Sequence, residues 1–440
     1  MARGRGGEKN GCPPGLAGEY GPEAEALAGR LDAEGGGPSA EVEEALREAL
    51  RREGARFLRE HYQVRLPRRL GLDRIAGSRG VRTRTILTSQ GEIEVRRLYV
   101  PGKGCPLDAA IGLSGGCTPL AAEMLCHAAA MDESYGKGEV SLGRLAGLQV
   151  PGRRLQRLVN GASPQMEAAG ADRKPDQPLP GHRIDSQLDM TGVPVRPEDL
   201  VGTPGREGEP RKKQLKVGVG FRRERGSDGQ WRTVRSSLAH LVAWESPEAF
   251  GGRMRDWMRS RGLGAADVHT VTADGAPWIW ELVRVWFPGA REIVDFYHAA
   301  EHLHELCRLA RPRDEAAADA LFAVRRRILK AYGARSLVRH FEALAADSPA
   351  GKEILAKLDY FRTNLERMEY GAFRREGLVI GSGEVEGSCR SLVNQRADLS
   401  GQRWHPLGAL NVLRIRGMII DDIHAAYWKK RGQTLPPPSA

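Results

Sequence analysis

The sequence predicts a multidomain α/β protein, and two observations carry that expectation. Between residues 183 and 296, apolar runs of strand length come first as three in succession and then alternate with helix-like segments. From residue 299 to about 370 the chain is rich in Ala, Leu, Arg and Glu at helical spacing. At 440 residues there is room for two or three domains with cores of their own. The net charge of +11 favours a polyanionic partner ahead of a membrane surface. No apolar run approaches the roughly 18 residues of a membrane span. Met1–Tyr20 lacks the apolar stretch of a secretory signal, and the six cysteines are scattered. A reducing, cytoplasmic setting is therefore expected, with no membrane partner.

Residues 1–40 are rich in Gly, Pro, Ala and Glu and poor in aromatics, the composition of a disordered arm. An α+β N-terminal region, 41–163, is expected next. Within Glu41–Gln63 the apolar residues Val42, Ala45, Leu46, Leu50, Ala55 and Leu58 recur at roughly helical spacing. Val81–Val100 alternates about Ser89-Gln90-Gly91-Glu92 and predicts a β-hairpin. Its arginines Arg82, Arg84, Arg96 and Arg97 either touch phosphate or occupy a solvated face. Pro119–Met131 and Pro151–Asn160 predict two short helices of a helix-turn-helix-like module. The second presents Arg153, Arg154, Gln156 and Arg157, long donors suited to a DNA groove. The alternative is an ordinary helix pair. Residues 164–180, polar with several prolines, are expected to be a linker.

The catalytic region is expected over 181–440. Arg183–Val195, Leu215–Arg222 and Val234–Trp244 predict three strands. Ser246 is placed to cap a helix through Phe250, Met254, Trp257 and Met258. Val268–Ala273 predicts a fourth strand. Pro277 suits the first turn of a helix bearing Trp278, Ile279, Leu282, Val283 and Trp286. Glu292–Phe296 predicts a fifth strand, helices fill about 299–375, and Glu384–Arg396 and Pro406–Ile423 close the chain. Three strands followed by alternation fit an RNase-H-like core with a helical insertion.

Three acidic positions stand out on these elements. Asp189 lies in a strand-like run, where an unpaired carboxylate is costly to bury; a metal, an arginine or a turn at Thr191-Gly192 relieves that cost. Asp185 shares its parity and therefore its face. Asp274 directly follows a strand, where α/β folds place their sites, although Asp274-Gly275-Ala276-Pro277 is also good turn or cap chemistry. Glu384 and Glu386 stand two apart on a predicted helix and point about 200° apart, so only one faces a shared site. Both also complement the helix dipole. Three carboxylates converging from such elements can hold two divalent metals, and two metals can cut and join phosphodiesters.

Other motifs compete. His298-x-x-Glu301-His302 matches the inverted zinc-peptidase motif. It follows a strand closely, however, and gives Asp189 and Asp274 no role. A hydrogen-bonded His298 near the carboxylates is the preferred reading. Cys105, Cys117 and Cys126-His127 lack the close pairs of a zinc ribbon, so zinc is not expected. Trp278 and Trp280 are assigned to packing. Trp404, between Arg403 and His405, either packs or stacks on an unpaired base.

Over about residues 80–428 the chain resembles insertion-sequence transposases of the ISKra type, DDE enzymes. Five blocks in order carry the resemblance. Leu188-Asp-Met-Thr-Gly-Val-Pro194 is similar to the family's Asp-Gly-Thr-Gly-Val-Pro block, with Met190 where the family usually has Gly. Leu215-Lys-Val-Gly-Val-Gly-Phe221 resembles its second strand, and Thr272-Ala-Asp-Gly-Ala-Pro-Trp-Ile-Trp280 its second-aspartate block. Asp295-Phe-Tyr-His-Ala-Ala-Glu-His-Leu303 resembles its Asp-x-x-His signature. Gly381-Ser-Gly-Glu-Val-Glu-Gly387 resembles Gly-Ser-Gly-x-x-Glu, an alignment that selects Glu386 over Glu384. Family members often carry a Cys-x-x-Cys pair before Pro-Leu-Asp; here Val100–Asp108 keeps one cysteine and is shorter.

The resemblance implies an RNase-H-like fold and a transposase that binds the inverted-repeat ends of an insertion sequence. It implies Asp189, Asp274 and Glu386 as catalytic and metal-holding residues, with Asp295 and His298 behind them. Mg²⁺ suits such oxygen ligands and a phosphate substrate, with Mn²⁺ as the alternative. The DNA contacts are expected from Arg153, Arg154, Arg157, Arg403 and Trp404. The partners are the element's ends and target DNA in the nucleoid, held by a homodimer or higher assembly. Two rivals are a catalytically silent DNA-binding descendant and a plain RNase-H-like nuclease.

Overall fold

In the computed structural model, the described residues are 39–171, 182–200, 212–264 and 268–433, with 25, 26, 29 and 30. Most of the expected arm, and positions 172–180 of the expected linker, lie outside them. The chain divides into two units. One takes the chain up to Met124, Val140–Val150 and the residues from Lys429; the other takes Leu125–Glu139 and Pro151–Trp428. The division is not the linear one that the sequence suggests.

In the first unit the helix Ser39–Glu60 continues into a π-turn, His61–Arg65. The hairpin pairs β1 (Val81–Thr88) with β2 (Gly91–Leu98), closing at Thr88 opposite Gly91. Alternation explains it: Ile93 and Val95 face inward and, with Ile86, pack on Leu66, Leu107 and Ile111. Arg97 follows the same parity and is buried, 2.5 Å from Asp108. Arg84 reaches the same carboxylate at 3.0 Å and Arg82 stacks 3.6 Å over the Tyr99 ring, so three of the four hairpin arginines have partners within the fold.

In the second unit six strands form a mixed sheet: β3 (Arg183–Pro194), β4 (Lys212–Arg225), β5 (Trp231–Thr233), β6 (Ala239–Ala243), β7 (Val268–Ala273) and β8 (Arg291–Val294). β3 is central. It pairs antiparallel with β4 and parallel with β7, and β7 pairs parallel with β8. β5 and β6 both pair antiparallel with β4. Glycines on β4 bring a helix close: a Cβ at Gly220 would stand 2.8 Å from Met258 Cγ. That helix, Pro247–Ser260, is capped by Ser246 Oγ accepting from Ala249 N at 3.2 Å, as expected.

Three expected elements differ. Val234–Trp244 is not one strand. Ser237 Oγ donates to Val234 O at 2.6 Å and accepts from Arg222 N at 2.8 Å, which makes a 3₁₀ turn and leaves only β6 in the ladder. The fifth strand ends at Val294 because Asp295 caps the helix Phe296–Ala310. Residues 164–171 are helix rather than linker. Leu155, Leu158, Val159, Ala162 and Met166 form one buried face, and the helix Gly152–Ala171 carries it past Pro164 against the helix Pro406–Ile420. Residues 299–375 are helical as expected, in four main helices: Phe296–Ala310, Glu315–Tyr332, Arg335–Ala346 and Gly351–Thr363. Among the described residues no helix is long and apolar enough to cross a membrane.

Two buried arginines close the carbonyl end of the helix Pro119–Met131. Arg396 Nε and Nη2 donate to Ala129 O at 3.1 and 3.0 Å, and Nη1 donates to Glu133 O at 3.3 Å. Arg416 Nη1 donates to Ala130 O at 2.8 Å and Met131 O at 3.2 Å. The last carbonyls of a helix lack partners in their own helix, and a cation is favoured there. Burial pushes the Arg396 guanidinium down to about 10, where it stays charged at neutral pH. Arg396→Met is expected to destabilise the protein by roughly 2–4 kcal/mol by stranding these carbonyls. Urea unfolding midpoints check it, and a midpoint equal to wild type would mean the carbonyls find other donors.

Candidate active site

The parallel pairing of β3, β7 and β8 positions the acidic residues. The last paired positions are Leu188 with Ala273 and Ala273 with Val294. The next residues on the three chains are Asp189, Asp274 and Asp295. Asp274 and Asp295 therefore follow the carboxyl ends of β7 and β8, and Asp189 stands on β3 just past its last pairing with β7, on the side of the sheet where open α/β folds bind ligands.

Asp189 is still within β3, opposite Val217. Its Oδ1 accepts from Met190 N at 2.7 Å, and Cys389 Sγ lies 3.6 Å from Oδ2. Burial, and then the charges of Asp274 and Glu386, push its carboxyl above the ordinary range against the pull of these hydrogen bonds. Asp185, on the same face, sits farther from the strand ends. It accepts from Thr270 Oγ1 and is flanked by Arg223 and Arg183, so its carboxylate has structural partners.

Asp274 combines both roles that its sequence allows. Its Oδ1 accepts from Ala276 N at 2.9 Å in an Asx turn, while Oδ2 makes no hydrogen bond among the described residues. The turn needs Gly275, whose φ of +100° suits no side chain. Tyr360 Oη donates to Asp274 O at 2.8 Å and presses the turn into place.

Glu386 projects from the short helix Gly383–Ser388. Glu384 Oε2 pairs with Arg235 at 2.9 Å, whereas Glu386 Oε1 lies 2.7 Å from Ser382 Oγ. The two glutamates thus have separate partners, and it is Glu386 whose charge acts on Asp189. Asp295 is buried and fully engaged: Oδ1 accepts from His298 N at 2.6 Å, and Oδ2 from Ser382 N at 2.6 Å. Ser382 Oγ also lies 2.9 Å from Asp295 Oδ2, so one hydroxyl proton is shared between Asp295 and Glu386. Gln187 adds a second tie, donating Nε2 to Gly381 O at 3.1 Å and accepting at Oε1 from Val385 N at 3.0 Å.

Gln187, Tyr360, Ser382 and Cys389 were not singled out by sequence reasoning. Only Gln187 carried a signal, a polar residue midway between Asp185 and Asp189 at the same strand parity. His298 meets Asp295 through its backbone; its ring lies edge-on to His302 at 4.9 Å. His302 stacks on Tyr360 at 4.0 Å. On the helix Gly152–Ala171, Arg153 and Arg157 are exposed and Arg154 is half-buried. Arg403 is exposed. Trp404 is bound into the fold: its backbone bridges Val195, its ring lies 4.9 Å under Arg396, and Nε1 donates to Gln402 Oε1 at 3.1 Å. That leaves its ring committed to internal partners rather than presented to a base.

Among the described residues no three His, Cys, Asp or Glu side chains already stand close enough to grip one metal ion. This holds alike for Cys105, Cys117 and Cys126-His127, for His298, Glu301 and His302, and for the acidic trio. The trio nevertheless fits Mg²⁺ by its chemistry. All its donors are hard oxygens, and burial together with the like charges that raise Asp189 is what a divalent cation would offset. No protein-family model matches the chain, and no curated protein matches it.

The Asp189 carboxyl keeps its proton to higher pH folded than unfolded. Across the interval between the two values the folded state holds more protons, so this residue's contribution falls as pH rises through that interval. Asp189→Asn is therefore expected to raise the melting temperature of the metal-free protein at pH 7. That gain should vanish below the ordinary carboxylate range. Calorimetry in a chelator checks it, and an unchanged or lowered melting temperature at pH 7 would contradict the electrostatic picture.

Proposed function

We propose that this protein is a DNA transposase with an RNase-H-like catalytic core, similar to the ISKra type. The observation that carries the reading is that Asp189 and Asp274 follow the last paired residues of two parallel strands, with Glu386 near enough for its charge to act on Asp189. The strand order supports it: the central β3 is flanked by antiparallel β4 on one side and by parallel β7, then β8, on the other. The long helical stretch between Asp274 and Glu386 matches a helical insertion.

Asp189, Asp274 and Glu386 would hold two Mg²⁺ ions, which when bound supply Lewis acidity for attack on a phosphodiester and for the leaving oxygen. The chain's own residues prepare that geometry. Tyr360 and Gly275 hold Asp274 at the strand end. Asp295 and Ser382 fix the backbone from which Glu386 reaches. Gln187 fastens the Glu386 helix to the strand that carries Asp189. Exposure of Glu386, with Asp189 and Asp274 only partly covered, leaves the trio open to a bulky substrate. The excess of 67 Lys and Arg over 56 Asp and Glu favours DNA as that substrate. Joining two ends requires at least two copies of the site, so we expect a dimer or larger assembly on DNA.

With Mg²⁺ and DNA carrying the sequences that flank the gene, the purified protein is expected to nick the ends and join them to a target plasmid. Asp274→Asn should lower both reactions by roughly 10³-fold, the loss of several kcal/mol of metal-dependent stabilisation, and leave end binding intact. Cleavage without joining would favour a plain nuclease. Full strand transfer by the variant would overturn the assignment.

A further inference from the structure

Behind the helix that carries Glu386 lies a buried polar chain that the candidate site does not use directly. Asp421 Oδ2 accepts from the backbone N–H of His240, on β6, at 2.9 Å, and Oδ1 stands 2.5 Å from His240 Nδ1. On the other side of the ring, Nε2 stands 2.9 Å from Ser388 Oγ, which donates to Glu384 O at 2.6 Å. The carboxylate and the carbonyl can only accept, and the serine has one proton. The hydrogen-bonded chain therefore runs from Asp421 through the His240 ring to Ser388 and on to the Glu384 carbonyl. Ser388 is 4% exposed and His240 is 8% exposed, which keeps any substrate from the serine and rules out hydrolase chemistry.

A fully satisfied buried polar network rigidifies and specifies the segment it joins. What this one specifies is the Glu386 helix. Ser388 lies two residues after Glu386 on the same helix, and the next residue, Cys389, touches Asp189. Gln187 and Ser382 hold the front of that helix, whereas His240 holds its end. We propose that His240 is a positioning residue for the candidate metal site. Paired with Asp421, it fixes Ser388, and so sets where Glu386 and Cys389 stand against Asp189. The part that concerns metal rests on the proposed role of Glu386.

Two readouts in the full-length protein separate the inference from that reading. The first is the labelling rate of Cys389 by a small thiol reagent in a chelator, identified by its absence in Cys389→Ser. The second is the Mg²⁺ concentration giving half-maximal DNA cleavage, read beside the rate at saturating Mg²⁺. Losing one buried hydrogen bond is expected to open the segment about tenfold more often. His240→Ala should therefore raise Cys389 labelling and the half-saturating Mg²⁺ about tenfold each, with a near-normal rate at saturation. His240→Gln, whose amide reaches Ser388, should restore most of both. Ser388→Ala, which removes only the hydroxyl, should reproduce the direction and keeps the test open where His240→Ala fails to fold. Wild-type labelling in both His240→Ala and Ser388→Ala overturns the inference. If the wild type neither cleaves nor responds to Mg²⁺, the metal reading fails, and labelling alone decides whether His240 fixes the segment.

Discussion

The candidate site depends on one pairing, the parallel register of β3 with β7. β3 has strands on both sides, so its backbone groups are committed along both edges. With β4 antiparallel on one side and β7 parallel on the other, only the β7 side brings two carboxyl ends together. Asp189 and Asp274 meet there because Leu188 is paired with Ala273. A slip of one residue would turn Leu188 toward the Glu386 helix and bury Asp189 against the Met254 side. Gly218 and Gly220 on neighbouring β4 let the helix Pro247–Ser260 pack onto that face of the sheet, where their side chains would be.

A second pattern separates the site from its surroundings. Several buried charged groups elsewhere in this unit are fully met by partners: Asp295 by three donors, Asp421 by His240, Arg396 by carbonyls. Asp189 is the departure. It is held half-buried beside two like charges with only a backbone N–H and a thiol to answer it. A carboxylate raised by burial and by two like charges is the kind of perturbed group that clusters at functional sites.

Much of this was legible in the chain. Apolar runs marked β3, β4 and β7, and Pro277 and Ser246 marked helix starts, because these signals are local. The position of Asp274 after a strand was legible too, and its turn chemistry proved compatible with its place at the site. What stayed hidden depends on distant partners. Helical spacing leaves Glu384 and Glu386 equivalent; the resemblance alone selected Glu386, and the partners that hold the two apart, Arg235 and Ser382, emerge only in the fold. Pro164 reads as a break, yet a buried apolar face carries the helix through it. Val234–Trp244 reads as continuous strand, and the hydroxyl of Ser237 interrupts it. Tyr360 gave no sign of its role, which exists only once the inserted helices fold over the Asp274 turn.

The two arginines that close the helix Pro119–Met131 tie the fold to the order in which the chain is made. Ala129 O waits for Arg396, 267 residues later, and Ala130 O waits for Arg416, 286 residues later. At ribosomal speed that interval is on the order of half a minute. For that time the helix leaves the ribosome with its end carbonyls hydrated and its apolar side uncovered, so the second unit cannot complete itself from its amino-terminal part outward. Its closing segment, which also brings Glu386, is the last to arrive. The nascent protein therefore acquires its third carboxylate and the lock on its fold in the same late stretch of translation.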